Sequence, residues 1–392
     1  MSYLKLLPAL TVMCSLGGGA AGYCAYRVTQ PLGLGALQLP LVLAASCVFG
    51  VLLAACFLLM PLSGHRGVNR LQVLGFGAFG FVSVLLVGVA SWELLRLLSA
   101  GLRLLWGPSD WLLPWTIEGA MSHLWLARLV LGGALLVTLW ALLNALRPAL
   151  LCEVDVEAPG MPEALRDFTI LQLSDIHIGP GIGENRLRQI VAQCADYEVD
   201  LIAVTGDLAD GDARRLRAAS EPLSRLSARH GVWFVTGNHD YYSGVDPWCA
   251  RAAELGMEVL LNESRVLEHE GARLLVAGVT DPSGGMFAND HHPQLERARG
   301  EALVDFSLLL AHQPNCAPAA AKLGFDLQLS GHTHGGQYFP FTLFIHGVQR
   351  YVAGLYRVGK MALYVHRGTT WWGPPMRLGS RHEIALLRLK PL

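Results

Sequence analysis

Lysine is nearly missing from this 392-residue chain: Lys5, Lys322, Lys360 and Lys390 stand against 26 arginines. We read that as genome composition rather than function. Charge of either sign is sparse as well, at 16% of residues against 52% hydrophobic. A single soluble domain is not built that way, and the balance points to a membrane part joined to a soluble part. No clustered basic face appears, which excludes the footprint of a nucleic-acid binder. The eight cysteines include no C-x-x-C pair, and Cys152, Cys194, Cys249 and Cys316 are widely scattered. A zinc ribbon or disulfide framework is therefore not expected, and reduced thiols favour a cytoplasmic soluble half. Internal repeats and low-complexity tracts are also lacking.

What the chain does have, first, is long apolar runs. Eight of its 30 basic and three of its 31 acidic residues fall in positions 1–150. Four spans are expected there: Leu4–Tyr26, Ala36–Leu62, Leu71–Trp92 and Met121–Leu146. Each has about 20 or more mostly apolar residues, enough to cross about 30 Å of hydrocarbon. Leu94–Trp106 carries Arg96 and Arg103 and is expected to lie in the interface. Trp92, Trp106, Trp111 and Trp115 gather there as an aromatic belt does. A cleaved signal peptide is the alternative for residues 1–26, and three further spans would remain. Gly75-Phe-Gly77-Ala-Phe-Gly80 matches a dinucleotide pattern but follows no strand, so it is not read as one. Gly18-x-x-x-Gly22 is read as close helix packing, and Arg128 as snorkelling from a span end. Four spans put the N-terminus and the soluble half on one side, with Lys5, Arg66, Arg70 and Arg147. That slight positive bias places the soluble half in the cytoplasm.

After Pro148 the pattern changes. Strands are expected at Phe168–Ser174, Asp200–Thr205, Gly231–Thr236, Arg273–Val279, Ser307–Ala311, Asp326–Ser330, Ala362–His366 and Glu383–Leu389. Helical periodicity covers Glu184–Glu198 and Asp212–Arg229. Continuous apolar strands interleaved with helices imply an α/β domain with covered sheets, 151–392, after an all-α transmembrane region, 1–150.

Polar groups then follow the strands. They are Asp175 and His177 in SDIH, Asp207 and Asp210 in GDLAD, Asn238 and His239 in GNHD, His312 in LLLAHQP, and His332 and His334 in GHTH. Strand ends converge on one rim of an open α/β sheet, where ligands bind. Carboxylates, imidazoles and one amide oxygen form a donor set suited to manganese, iron or zinc rather than calcium. Alternation along D-x-H and H-x-H in an extended chain would put both side chains of each pair on one face.

This ordered set, D-x-H, G-D-x-x-D, G-N-H-D, a lone His and G-H-x-H, resembles the calcineurin-like metallophosphoesterase superfamily over roughly 168–390. SDIHIGP, VTGNHDYY, LSGHTHGGQ and PMRLGSRHEI are similar to its membrane-associated branch. The resemblance implies a four-layer α/β/β/α sandwich and two divalent metal ions, manganese first, iron or zinc otherwise. It implies that Asp175, His177 and His334 bind one ion, that Asn238, His312 and His332 bind the other, and that Asp207 bridges them. His239 would be the catalytic imidazole and Asp210 would orient it. His366 and His382 depart from the pattern where Ser or Asn, and Pro, are usual.

The expected function is a multi-pass, membrane-anchored phosphoesterase, its partners the lipid bilayer and a phosphorylated small-molecule or lipid substrate. A lipid-borne phosphodiester or pyrophosphate is favoured, with a soluble nucleotide or phosphoprotein left open. The rivals are a non-enzymatic scaffold, which would show gaps in the ligand set, and a transporter or sensor with a regulatory phosphoesterase. Arg377 and Arg381 are equally open to a substrate phosphate or to structural ion pairs. Trp371-Trp372 are read as packing residues in preference to a pair facing lipid near the membrane, His291-His292 as solvated, and the Asn262-Glu-Ser264 sequon as unused in the cytoplasm.

Overall fold

Apolar runs in lipid can satisfy their own backbone groups only as helices. A computed structural model describes residues 7–106, 120–287 and 290–391; Lys5, Trp111 and Trp115 lie outside the described residues. The N-terminal part forms α1 (Leu7–Thr29), α2 (Gln38–Leu58), α3 (Arg66–Trp106) and α4 (Ala120–Leu146). Gly35–Leu58, Arg66–Leu105 and His123–Leu146 are long and apolar enough to cross a membrane. The first expected span forms the 23-residue α1, laid along α2, which is not among these three, so three of the four expected spans meet that measure among the described residues. A Cβ at Gly18 would sit 2.9 Å from the Ser46 carbonyl oxygen, and one at Gly22 would meet the Ser46 side chain. The G-x-x-x-G spacing thus serves helix approach.

One expectation fails in this region. Leu94–Trp106 is not a separate interfacial segment, because it continues α3 as one 41-residue helix, about 60 Å long at 1.5 Å per residue. No Gly or Pro falls between Val89 and Ala100 to end it. Glu93, the charge at the expected break, pairs with Arg27 and with Arg96, and Arg27 also lies 4.7 Å over the Trp92 ring. Arg128 lies over the Trp125 ring.

Beyond Pro148 the elements run β1 (Leu150–Ala158), β2 (Thr169–Leu173), α5 (Glu184–Ala195), β3 (Leu201–Thr205), α6 (Arg217–Ser220), β4 (Val232–Val235), α7 (Asn238–Ser243), α8 (Val245–Glu254) and β5 (Met257–Val259). They continue as β6 (Glu263–His269), β7 (Ala272–Gly278), α9 (Leu295–Arg299), β8 (Phe306–Leu310), α10 (Ala317–Lys322), β9 (Leu327–Ser330), α11 (Phe341–Val348), β10 (Gly354–Val358), β11 (Met361–Val365) and β12 (Glu383–Pro391). Two six-stranded sheets result, in the orders β1-β12-β2-β3-β4-β5 and β10-β11-β9-β8-β7-β6. Between them Ile170, Leu201, Trp233, Phe306, Leu327 and Tyr364 interlock. The outer face of the first sheet is covered by α5 and α8 through Ile190 and Trp248. The outer face of the second meets α9 and α10 through Ala298, Ala317 and Ala320. This is the four-layer α/β/β/α sandwich.

The strands missed from sequence, β1, β5, β6 and β10, are edge or next-to-edge strands whose residues are half-exposed, so their apolar signal is diluted. The helix expected over Asp212–Arg229 is cut to α6 and a following 3-10 turn, Glu221–Arg225. Pro222 lacks the N–H that a continuing helix needs.

The sandwich rests directly on the helices. The Arg377 N–H donates to the Ala141 carbonyl of α4 at 2.9 Å, and Arg186 and His382 donate to the Arg147 carbonyl at 2.8 and 2.6 Å.

Candidate metal centre

The parallel strands β2, β3 and β4 end side by side, and β8 and β9 end side by side on the facing sheet. The side chains that follow these five ends meet in one cluster. Asp175, His177, Asp207, Asp210, Asn238, His239, His312 and His334 are buried, and His332 is half-buried.

The backbone route differs from the extended alternation expected for D-x-H and H-x-H. Asp175, His177, Asp207, His332 and His334 all have left-handed φ, between 50° and 72°. The chain curls after each strand, and the curl rather than the pleat aims both members of each pair inward. Non-glycine residues held there are strained at a cost of order 1–3 kcal/mol each. The loops are braced: the N–H groups of Asp175 and His177 donate to the carbonyls of Gly206 and Asp207, each at 3.0 Å. Asp240 adds a brace the sequence reading did not assign, its two carboxylate oxygens accepting from Leu208 N–H at 2.9 Å and Gly237 N–H at 2.8 Å. A Cβ on Gly237 would strike the Asp207 carboxylate.

Two groups of candidate ligand atoms lie within the cluster. In one, His177 Nε2 is 3.1 Å from His334 Nε2, which is 3.2 Å from Asp175 Oδ1. In the other, His312 Nε2 is 3.2 Å from Asp207 Oδ2, 3.2 Å from Asn238 Oδ1 and 3.3 Å from His332 Nδ1. Asp207 Oδ2 also lies 3.8 Å from His177 Nε2, between the two groups. His312 Nδ1–H donates to the Thr205 carbonyl at 2.8 Å, which fixes the tautomer and leaves Nε2 a lone pair. Imidazole nitrogens, carboxylates and an amide oxygen converge at distances that need protons or cations among them, and metal ions can take the place of ring protons there. Borderline N/O donors of this kind suit first-row divalent metals. The residues present therefore fit two metal ions.

Beside them, His239 Nδ1 and Asp210 Oδ1 are 2.6 Å apart, and Asp210 Oδ2 lies 3.2 Å from His177 Nδ1, outside hydrogen-bonding geometry. Burial pulls His239 down, but Asp207 and Asp210 outweigh it and lift it to about 9. Burial disfavours the charged carboxylates, yet the surrounding histidines hold Asp175, Asp207 and Asp210 below the usual range. Burial lowers His334 to about 4 against the pull of Asp175, keeping its imidazole neutral and able to ligate.

Other expectations resolve here. Arg377 is buried and is not a phosphate clamp. It donates to the carbonyls of His334, Arg367 and Thr370, and its Nη2 lies 3.1 Å from His334 Nδ1. Arg381 is exposed. Trp371 is buried in the core beside Ile178. Trp372 does more than pack, its ring standing 5.2 Å from His239 and 6.4 Å from Phe57 of α2. Tyr242 flanks His239 on another side at 5.3 Å. An aromatic pair in sequence gives no sign of which ring meets the site. His291 is not simply solvated, since Nδ1 pairs with Tyr241 OH at 2.9 Å. Asn262 of the sequon is buried and bonded to Thr280; Asn289 lies outside the described residues.

Comparison with known proteins agrees with this geometry. The calcineurin-like phosphoesterase family model matches residues 168–336. The chain is 36% identical over 270 residues to a Danio rerio transmembrane protein with metallophosphoesterase domain, covering 66% of this chain and 62% of that one. The Bos taurus protein of the same name is 39% identical over 261 residues, covering 64% and 59%. The Bacillus subtilis metallophosphoesterase YkuE is 31% identical over 248 residues, covering 61% and 84%. The chain thus spans about three fifths of the length of the two vertebrate relatives.

Proposed function

The chain belongs to the calcineurin-like phosphoesterase family, and we propose that it is a multi-pass, membrane-anchored phosphoesterase using two divalent metal ions. Its substrate in this reading is a phosphodiester or pyrophosphate carried by a lipid or lipid-linked molecule. The observation that carries the reading is the convergence of buried carboxylate, imidazole and amide ligand atoms beside a buried His–Asp pair.

Asp175, His177 and His334 would hold one ion, Asn238, His312 and His332 the other, with Asp207 between them; manganese is the first choice, iron or zinc the alternatives. Two such ions supply positive charge that acidifies a water and neutralises phosphoryl oxygens. The protein's own part is positioning and proton transfer. Asp210 accepts from His239 Nδ1–H and fixes the ring, so that Nε2 delivers a proton to the leaving oxygen. The Asp207 Oδ1 bond from His239 N–H, 2.8 Å, ties that residue to the carboxylate that would lie between the ions. Trp372 and Tyr242 wall the ring and keep it from bulk water.

Trp372 is also what favours a lipid-borne substrate, because one ring separates His239 from Phe57 in the bundle. Arg66, Arg70 and Arg147 lie at the helix ends nearest the sandwich, which supports a cytoplasmic site.

The test uses the full chain in lipid nanodiscs, stripped of metal and reloaded with manganese, iron or zinc. Cleavage of a chromogenic phosphodiester, its monoester, a nucleotide and a lipid pyrophosphate is followed, with Asp207→Ala alongside. Metal-dependent turnover of the diester or pyrophosphate, lost in D207A, is expected. Two bound ions with no turnover of any substrate would replace the enzyme by a scaffold. Preference for the nucleotide would overturn the lipid assignment.

A further inference from the structure

Helix α11, FTLFIHGV, has no buried residue and no acidic or basic one besides His346. Phe341, Leu343, Phe344 and Val348 are exposed, the last three at 64, 66 and 77%. Phe344 and Val348 share a side of the helix, being four positions apart, and Leu343 stands about 100° round on the adjoining flank. Such a face is costly in water, and the structure says where it lies.

Phe341 sits 6.3 Å from Phe79 of α3. Just before the helix, Tyr338 OH is 3.3 Å from Ser83 Oγ of α3. Phe79 packs with Phe49 and Leu53, which stand in the middle of α2, a 21-residue helix without a single charge. Phe49 is therefore about 15 Å from either end of α2, half the thickness of a bilayer's hydrocarbon. A second observation extends the contact with the same bundle of helices. Phe339 and Leu378 of the catalytic domain line an apolar groove of about 560 Å³ together with Val84, Gly88, Val130 and Trp140 of α3 and α4. The backbone around α11 is satisfied from within, as lipid requires: Phe339 N–H donates to Leu378, Leu343 to Pro340 and Gln349 to Ile345. Arg350, exposed just past the helix, has the length to snorkel to headgroups.

We propose that α11 is a membrane-inserted helix of the catalytic domain, its Leu343–Phe344–Val348 face covered by acyl chains of the bilayer. The face continues the apolar surface of the spans, so its occupant is lipid. The consequence for the metal centre rests on the phosphoesterase reading above. His334 is seven residues before Phe341, and a Cβ on Gly336 would lie 2.5 Å from Thr342 Cα, so the ligand loop and the helix are in backbone contact. With α11 inserted, the centre faces the headgroup layer and takes phosphoesters from the bilayer.

The test again uses the full chain in nanodiscs. The emission added by Phe344→Trp over the parent is measured with acyl-chain-brominated phosphatidylcholine and with aqueous iodide. Quenching by bromolipid and not by iodide is expected. Quenching by iodide alone overturns the proposal, and quenching by neither, with a doubled particle mass, replaces lipid by a second copy of the chain. A Leu343→Glu/Phe344→Glu variant should lose at least about tenfold on a vesicle-embedded lipid pyrophosphate, because carboxylates are costly in hydrocarbon. Its turnover of a soluble chromogenic diester should stay within about twofold of the parent, as neither residue touches the centre. Equal loss on both substrates overturns the link between helix and substrate entry. A parent that hydrolyses neither substrate defeats the phosphoesterase reading, while the quenching still decides the helix.

Discussion

The candidate ligand group around His334 and the one around His312 offer similar donor atoms but are held from behind by different things. His312 is fixed by the sheet: its Nδ1–H donates to the Thr205 carbonyl at the end of β3, and its own carbonyl accepts from Gly331 at the end of β9. His334 is fixed by a side chain from the far end of the domain. Arg377 reaches its carbonyl oxygen and its Nδ1, and the Arg377 backbone is bonded to Ala141 of α4. One half-site therefore reports on the sandwich core, the other on how the sandwich sits against the helices. Outer partners of ligands matter nearly as much as ligands, so the two halves should fail differently.

The sharpest break is at the shared residue. Asp207→Ala removes the one oxygen close to both His177 and His312 and should erase the contrast, with loss of both ions by metal analysis and turnover reduced to background. Retention of one ion with its partner site empty would show that Asp207 belongs to one half alone.

Next in size is the His239–Asp210 pair, which neither half owns. His239→Asn should keep both metals and lower kcat by about 10²–10⁴-fold, the range of general acid catalysis. Its pH dependence has a definite sign. Asp207 and Asp210 raise His239 to about 9 without metals, and cations nearby oppose that, so the alkaline limb of the loaded enzyme should fall below 9. Asp210→Asn removes one of the raising charges, so the limb moves to lower pH again. A limb that stays in place in a pH–rate profile would assign the acid to another group.

The contrast itself is tested by Arg377→Lys, which keeps the charge but loses the planar fork. Affinity for one ion should weaken by about 10–100-fold, with the other unchanged, in a titration of the metal-free chain. Equal weakening of both would make Arg377 a general stabiliser.

The same contrast separates what was legible in the sequence from what was not. The residues of the cluster could be read because each follows a short, continuously apolar strand, and strand ends of an α/β sheet face one rim. The curl of the ligand loops could not, since left-handed φ at Asp175 or His332 is imposed by tertiary hydrogen bonds and leaves no mark on composition. Arg377, Trp372 and Asp240 were unassigned or misassigned for a related reason: their roles depend on which loop they meet, forty or more residues away in the cases of Arg377 and His334. Helix α11 is eight residues long, too short for any span criterion, and its meaning comes from touching α3. The separate interfacial segment expected at Leu94–Trp106 fails because its arginines were weighed alone, whereas Arg96 pairs with Glu93 one turn back in the same helix.

The smallest expected effect lies where the sandwich meets α4, at His382. Its Nε2–H donates to the Arg147 carbonyl at 2.6 Å, just past the end of α4. Burial, reinforced by the charges of Arg377, Arg186 and Arg381, lowers it to about 3. A base whose pKa is lower folded than unfolded binds its proton preferentially in the unfolded chain. Stability is therefore full above the unfolded value near 6.5 and falls as pH drops toward 3. At pH 5 the loss from this one residue is at most about 2 kcal/mol. Thermal unfolding of the full chain in nanodiscs at pH 7 and pH 5 should show a drop that His382→Gln reduces, because the amide can still donate to Arg147 but gains no proton. If the acid-induced drop is the same in both, the joint between α4 and the sandwich is insensitive to this histidine. Its link to the His334 half-site would then run through Arg377 alone.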